Sequence, residues 1–163
     1  MFDTVLIAGL GLMGGSMAKT IKARTLSRVL GWNRTRATAE QALADGSIDA
    51  IATEALYKEA DLVIIGLYPQ ATVDWLLENM PKMKKGCVIV DMVGVKQFMV
   101  DHLEQAALDA GVHYVGGHPM AGREFSGLDF ALPTLFDGAS MIFVPTKSST
   151  ERVLEQLEAY FMS

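Results

Sequence analysis

The 163-residue chain is 50% hydrophobic and carries a formal net charge of −5, with one cysteine. Its length suits one domain with a sizeable core, and its acidity argues against a nucleic-acid partner, which would select a basic surface. A single cysteine excludes an intrachain disulfide, and no apolar run approaches the roughly 20 residues that cross a bilayer. We therefore expect a soluble, cytoplasmic protein with no membrane or nucleic-acid partner.

The chain opens with an apolar run, Thr4–Ala8, followed by a glycine-rich stretch and a helix-compatible segment, Ser16–Ala23. The diphosphate of a dinucleotide requires this order, because Gly9 allows a tight turn and Gly11 lets the backbone approach the anion. Gly14 lets the helix pack closely on the strand, so that the helix dipole faces the diphosphate. The alternative is a glycine-rich turn with no ligand. The residues predicted here to bind the cofactor are Gly9, Gly11, Leu12, Met13 and Gly14.

A second strand-like run, Arg28–Trp32, ends where an acidic residue would bind the ribose 2′-hydroxyl of NAD. That place is held by Asn33, followed by Arg34, Thr35 and Arg36. An amide, a hydroxyl and two guanidinium groups would bind a 2′-phosphate, whereas a carboxylate would repel it. The sequence therefore predicts these residues as part of the cofactor site and NADP as the cofactor, with NAD possible. The alternative is that Arg34 and Arg36 simply begin a solvated helix.

Strand-like and helical patterns alternate along the rest of the chain. Strands that are apolar along their whole length are typical of a parallel sheet covered on both faces. We therefore expect a Rossmann-like, doubly wound α/β fold, with a mostly parallel sheet and helices on both faces, forming one dinucleotide-binding domain over residues 1–163. The longest irregular stretch runs from Gly116 to Gly138, which exceeds the usual loop length. Further predicted strands are Leu62–Leu67, Cys87–Asp91, Val112–Val115 and Ser140–Val144, and predicted helices are Ala37–Ala44, Thr72–Met80 and Lys96–Ala110.

The last segment, Ser148–Ser163, begins with a capping-box pattern formed by Ser148 and Glu151. It ends without a glycine cap or a polar tail, so we expect that further chain normally follows. Its apolar stripe would then lack its usual cover, which makes self-association into a homo-oligomer a reasonable hypothesis. The stripe consists of Val153, Leu154, Leu157, Tyr160 and Phe161.

In an open parallel sheet, ligands lie beyond the carboxyl ends of the strands. Leu67, Tyr68 and Pro69 follow the third long strand-like run, on the side expected for the nicotinamide, and are predicted to contact the cofactor. His118 follows a later run and is the predicted catalytic base. A histidine side chain is suited to accept the proton that an alcohol loses during hydride transfer. We place it in a turn between a diglycine and Pro119; a structural histidine is the alternative.

Other polar residues near these strand ends have less specific roles. Lys96 and Arg123 could each neutralise a substrate carboxylate, although charges on a helix surface would look the same. Ser126 is either a hydroxyl donor to the substrate or a turn former. The three histidines have no matching cysteine or carboxylate spacing, so no metal site is expected.

Three stretches of the sequence resemble the prephenate/arogenate dehydrogenase family of tyrosine biosynthesis. They are residues 9–16, residues 91–96 and, most specifically, the Gly-His-Pro-Met-Ala-Gly run at 117–122. The resemblance implies NAD(P)-dependent oxidative decarboxylation of prephenate to 4-hydroxyphenylpyruvate, or of arogenate to tyrosine. His118 matches the family histidine that engages the ring hydroxyl. Lys96 matches the lysine of the family's Asp-x-Gly-Ser-x-Lys motif.

Two departures from the family pattern affect the expected chemistry. Gly94 stands where the motif usually has serine, so a hydroxyl that would bind the substrate or the histidine is missing. We expect the second, helical domain, which makes the family's dimer and adds substrate-binding residues, to be missing from this chain. We expect a domain that binds NADP and turns over poorly alone. The alternatives are an NADP reductase domain of the 3-hydroxyacid dehydrogenase kind and a non-catalytic dinucleotide-binding module.

Overall fold

A seven-stranded sheet forms the centre of the computed structural model, which describes residues 1–163. Its strands are β1 (Thr4–Ala8), β2 (Arg28–Trp32), β3 (Ala50–Ile51), β4 (Leu62–Ile65), β5 (Val88–Asp91), β6 (His113–Pro119) and β7 (Met141–Val144). The helices are α1 (Leu12–Arg24), α2 (Arg36–Ala44), α3 (Pro69–Asn79), α4 (Lys96–Ala110) and α5 (Glu151–Met162). Short 3₁₀ helices span Glu54–Glu59, Met80–Lys82 and Leu128–Phe130.

The strands lie in the order β3-β2-β1-β4-β5-β6-β7, and every neighbouring pair is parallel except β6 and β7. The chain therefore leaves β1 toward β2 on one side and returns to β4 on the other. Such a reversal opens a crevice at the carboxyl ends of the strands, where ligands bind in sheets of this kind. The two-residue strand β3 has no counterpart among the predicted elements, because so short an apolar run gives no periodicity to detect.

The core forms two layers because successive strand residues point to opposite faces of the sheet. On one face, Ile7 and Ile64 pack with α1, α2 and α5. On the other face, Leu6 and Ile65 pack with α3 and α4. All four side chains are fully buried, and each contributes about 1.5–3 kcal/mol of burial free energy. This arrangement confirms the doubly wound α/β fold with helices on both faces.

Strand β6 is longer than predicted and corrects the expected position of His118. The residue lies within the strand, opposite Ile142 of β7, rather than in a turn. The preceding diglycine is needed for close packing, since a Cβ on Gly117 would stand 2.4 Å from the Asp91 carbonyl oxygen. The irregular stretch therefore begins at Met120 instead of Gly116 and ends at β7; we call residues 120–140 the β6–β7 connection.

The starts of α1, α3 and α5 also differ from the predicted boundaries, each by more than one residue. Helix α1 begins directly after an extended Gly11, and α3 begins at Pro69, whose fixed φ suits the first helical position. The predicted capping box on α5 is wrong. Thr150 caps the helix by accepting a hydrogen bond from the Val153 amide, while buried Ser148 accepts one from the Tyr114 amide.

The apolar stripe of α5 is covered by its own domain, which corrects the expected lack of cover. Val153, Leu157 and Tyr160 are 5%, 0% and 7% exposed, and Phe161 packs edge-on against Phe143. The stripe therefore gives no reason for self-association. No helix in the structure has the length and apolarity that a bilayer crossing would need.

Candidate functional site

A cleft of about 630 Å³ opens at the carboxyl ends of the central strands. It brings together residues that are far apart in the sequence, from the glycine turn, the end of β2, and the segments after β4 and β5. A second cavity, of about 100 Å³ between α1 and α5, contains none of the predicted site residues. The predicted residues that line the cleft are Gly9, Gly11, Leu12, Met13, Asn33, Arg34, Leu67, Tyr68, Pro69, Gly94 and Ser126. The predicted residues outside its lining are Gly14, Thr35, Arg36, Lys96, His118 and Arg123.

The glycine turn is built so tightly that two of its positions exclude any side chain. Gly9 has φ +94°, and a Cβ on Gly14 would stand 1.7 Å from the Gly9 carbonyl oxygen. A Cβ on Gly11 would meet nothing within 4 Å, so this residue faces open space. Helix α1 starts at the next residue, and its first amides have no partner within the helix. The free amides and the dipole of α1 together make this end of the cleft suited to bind an anion.

Replacing Gly11 and Gly14 by alanine should therefore have different effects. We expect Gly11→Ala to leave the unfolding free energy unchanged but to weaken NAD(P) binding about tenfold or more, because the methyl group enters the space for the diphosphate. Gly14→Ala should instead destabilise the fold by about 3 kcal/mol, since its methyl overlaps a backbone oxygen. Urea unfolding and calorimetric NAD(P) titration of both variants measure the two effects. Equal affinities for Gly11→Ala and the unmodified chain would contradict the prediction.

The polar residues after β2 are engaged differently from one another. The Asn33 amide holds the glycine turn, since its Oδ1 accepts from the Leu10 amide at 2.9 Å and its Nδ2 donates to the Thr35 carbonyl at 3.1 Å. The Arg36 Nε lies 3.3 Å from Glu40. Arg34 is exposed, lines the cleft and makes no ion pair. Arg34 is therefore the cation at this end of the cleft that is free to meet an anion.

His118 does not line the cleft itself but lies next to Gly94, which does. An ideal Cβ on Gly94 would be 3.6 Å from the His118 Cε1 and 3.9 Å from its Nε2. Because Gly94 has no side chain, little separates the imidazole from the cleft that Gly94 lines. The ring is half-buried and makes no hydrogen bond to another protein group. Its nitrogens are therefore available to a ligand.

Lys96 is tied to a buried carboxylate that the sequence analysis did not select. Its Nζ lies 2.7 Å from the Oδ1 of Asp91, and the two side chains are 15% and 0% exposed. The same oxygen accepts from the Gly117 amide at 2.9 Å, directly before His118. Asp91 thus joins the end of β5, the start of α4 and the strand that carries the histidine.

Burial opposes the charges of this ion pair. It raises the pKa of the Asp91 carboxyl, against the lowering effects of Lys96 and the Gly117 amide. It also lowers the pKa of Lys96, against the raising effect of Asp91. The Oδ2 of Asp91 and the Tyr114 hydroxyl are both buried, and interaction with this hydroxyl also lowers the pKa of the Asp91 carboxyl. Burial is the largest cause that raises the pKa of Tyr114, and the neighbouring Asp91 charge is the second. An acidic residue closing an apolar strand was the sequence signal for this cluster.

The remaining predicted residues divide between the cleft and the surface. Arg123 donates to the Phe130 carbonyl at 2.7 Å and lies over the Phe125 ring at 5.5 Å, so its guanidinium is engaged within the β6–β7 connection. Ser126 lines the cleft, as residues of the glycine turn do. No group of three histidine, cysteine or carboxylate side chains is arranged to hold a metal ion.

Comparison with known proteins places this site in a family. The family model described as "Prephenate dehydrogenase, nucleotide-binding domain" matches residues 17–163. The chain belongs to this family. The match confirms the resemblance found in the sequence, and with it a nucleotide-binding domain of the NAD(P)-dependent dehydrogenase type.

Relatives of this prephenate dehydrogenase domain agree with the match. The Bacillus subtilis prephenate dehydrogenase is 37% identical over 97% of this chain and 43% of its own length. An Aquifex aeolicus prephenate dehydrogenase, solved with hydroxyphenyl propionate and NAD⁺, superimposes with a TM-score of 0.89 at 26% identity, covering 99% of this chain and 57% of that one. Synechocystis arogenate dehydrogenase superimposes with a TM-score of 0.87 at 25% identity, covering 98% and 56%. The chain thus spans about half the length of these relatives.

Proposed function

We propose that this chain is the cofactor-binding part of an enzyme that oxidatively decarboxylates prephenate or arogenate with NAD(P)⁺. The observation that carries the proposal is the His118 imidazole, unpaired and 3.6 Å from the Cβ position of the cleft residue Gly94. The Bacillus subtilis and Aquifex aeolicus relatives named prephenate dehydrogenase support this substrate class. The family match also favours it over the hydroxyacid dehydrogenase alternative.

The residues of the cleft fit a dinucleotide. Gly11 leaves the approach to the α1 amides open, and Arg34 offers a free cation. A dinucleotide held by these residues would supply the acceptor for the hydride that leaves the ring carbon bearing the hydroxyl. His118 would take the hydroxyl proton on a ring nitrogen, which relieves the positive character left on that carbon. Loss of CO₂ then makes the ring aromatic, so the protein supplies mainly positioning and a base.

The substrate carboxylates need cations, for which Lys96 and Arg123 remain candidates. Both are already engaged, Lys96 with Asp91 and Arg123 with a backbone carbonyl. A substrate carboxylate at Lys96 would therefore share the ammonium group with Asp91. We infer that residues outside these 163 meet much of the substrate's charge. We also propose that the substrate is a small molecule and that the reaction takes place in the cytoplasm.

We further propose that Arg34 directs the choice of cofactor toward NADP. It is exposed, lines the cleft and makes no ion pair, whereas Arg36 is paired with Glu40. Arg34→Ala should weaken NADP⁺ binding about tenfold or more and leave NAD⁺ binding nearly unchanged, because a hydrogen-bonded charge pair with the 2′-phosphate is lost. Calorimetric titration of both nucleotides measures the ratio. Arg36→Ala is the matched control, and an unchanged NADP⁺/NAD⁺ ratio in Arg34→Ala would contradict the proposal.

The reaction is tested by comparing substrates. The chain fused to the part of the Bacillus subtilis relative beyond its match should reduce NAD(P)⁺ with prephenate or arogenate and not with 3-hydroxyisobutyrate, whereas the chain alone should turn over poorly or not at all. Comparable rates on the hydroxyacid would favour the reductase alternative. Nucleotide binding with no turnover in the fusion would favour a non-catalytic module.

A further inference from the structure

The β6–β7 connection packs in close contact with α1. Leu128 and Ala131 are 5% and 4% exposed, and both face Gly15 of the helix. A Cβ on Gly15 would stand 2.8 Å from the Leu128 Cδ1 and 3.1 Å from the Ala131 Cβ. The absence of a side chain at Gly15 thus sets how closely the connection approaches the helix.

Polar contacts fix the same segment to α1 and α2. The fully buried Ser16 hydroxyl accepts from the Leu132 amide at 2.9 Å, and the Thr20 hydroxyl donates to the Pro133 carbonyl at 3.0 Å. On the other side, the Gln41 Nε2 donates to an Asp129 carboxylate oxygen at 2.6 Å. The connection is therefore held in place beside the N-terminal half of α1.

These anchors bring Ser126 and Gly127 to the cleft. Both residues line it together with Gly11, Leu12 and Met13. The Ser126 hydroxyl is exposed, and neither it nor the two backbone amides donates a hydrogen bond within the protein. Gly127 has φ +92°, a backbone conformation that residues other than glycine rarely adopt. Three free donors thus stand at the same opening as the α1 amides.

We propose that Ser126 and Gly127 bind the dinucleotide itself, as a second set of hydrogen-bond donors in the cleft that the glycine turn lines. This rests on the NAD(P) site of the proposed function. A diphosphate in the cleft would accept hydrogen bonds from the first amides of α1 and from the Ser126 hydroxyl and the 126–127 amides. The assignment makes Ser126 a cofactor residue, whereas its sequence context suggested either a hydroxyl donor to the substrate or a turn former.

Titration of NAD⁺ and NADP⁺ into the purified chain tests the assignment without any turnover. Ser126→Ala should weaken both nucleotides by a similar factor, about tenfold, because the diphosphate is common to both. Gly15→Ala should weaken both as well, because its methyl group pushes the connection away from α1. Thr134→Ala, which removes an exposed hydroxyl of the same connection outside the cleft, should bind as the unmodified chain does. Thermal unfolding of each variant identifies any loss of affinity that comes from a lost fold.

Hydrogen exchange gives a second measurement that needs no variant. Saturating NAD⁺ should slow the exchange of the Ser126 and Gly127 amides. The assignment fails if Ser126→Ala binds both nucleotides as tightly as the unmodified chain and these amides exchange at the same rate with NAD⁺ present. It also fails if, in the active fusion, Ser126→Ala raises only the KM for prephenate. Neither failure bears on whether prephenate is the substrate, so the two proposals are judged separately.

Discussion

Lys96→Met should lower the free energy of unfolding by about 3–5 kcal/mol, because it leaves the buried Asp91 carboxylate without its cation. The remaining hydrogen bond from the Gly117 amide does not neutralise the charge. The loss should be greater at pH 8 than at pH 5. A buried carboxyl with a raised pKa binds a proton more tightly in the folded chain than in the unfolded chain, so stability falls as pH rises toward that pKa. Urea unfolding of the variant and of the unmodified chain at both pH values measures the loss of unfolding free energy.

Two further variants separate an unpaired charge from lost packing. Lys96→Met combined with Asp91→Asn should recover most of the lost stability, since burial works against both charges of the pair. Lys22→Met, which breaks the half-exposed pair with Asp49, should cost less than about 1 kcal/mol. A double variant no more stable than Lys96→Met alone would show that side-chain packing, rather than charge, determines the loss.

His118→Ala should reduce turnover of the active fusion about 10²- to 10⁴-fold, because it removes the proposed general base. Its NAD(P) affinity should remain unchanged, since His118 is not among the residues that line the cleft. Steady-state kinetics with prephenate and calorimetric titration of NAD(P) measure the two quantities. The expected pattern is therefore a loss in kcat without a loss in cofactor binding.

His102→Ala is the matched control for this variant. His102 is exposed on α4, and its ring Nδ1 lies 2.8 Å from the Phe98 carbonyl oxygen, so its removal should leave turnover unaffected. Restoring the serine of the family motif gives a complementary test. Gly94→Ser would place a hydroxyl close to the His118 ring, and we expect it to shift the pH dependence of turnover. Full activity in His118→Ala would remove the base assignment.

The fold was predictable because its main signals are local. The apolar run of β1 and the glycine spacing after it depend only on neighbouring residues, and both predict the strand, turn and helix that the structure contains. The same local reasoning misplaced His118, since a diglycine is usual in turns. Only the pairing of β6 with β7, and the contact of Gly117 with Asp91, show that these glycines serve close packing.

The candidate site was predictable in composition but not in connections. Most of the residues predicted to bind the cofactor line the cleft, because they follow the carboxyl ends of neighbouring strands. The pairing of Lys96 with Asp91 and the bracing role of Asn33 were not foreseen. Both depend on distances across loops, and a sequence pattern contains no such distances. Ser126 reaches the cleft only because distant residues anchor its segment to α1.

Asn33 sets a limit on how cofactor preference could be redesigned in this domain. Exchanging the residue after β2 for an acid is the obvious route to a 2′-hydroxyl-selective variant. Here an aspartate could still accept the Leu10 amide, but it would lose the donor that meets the Thr35 carbonyl and would place a negative oxygen beside it. The exchange would loosen the backbone that receives the diphosphate of either nucleotide. A selective redesign should therefore begin at Arg34, whose side chain supports no other part of the fold.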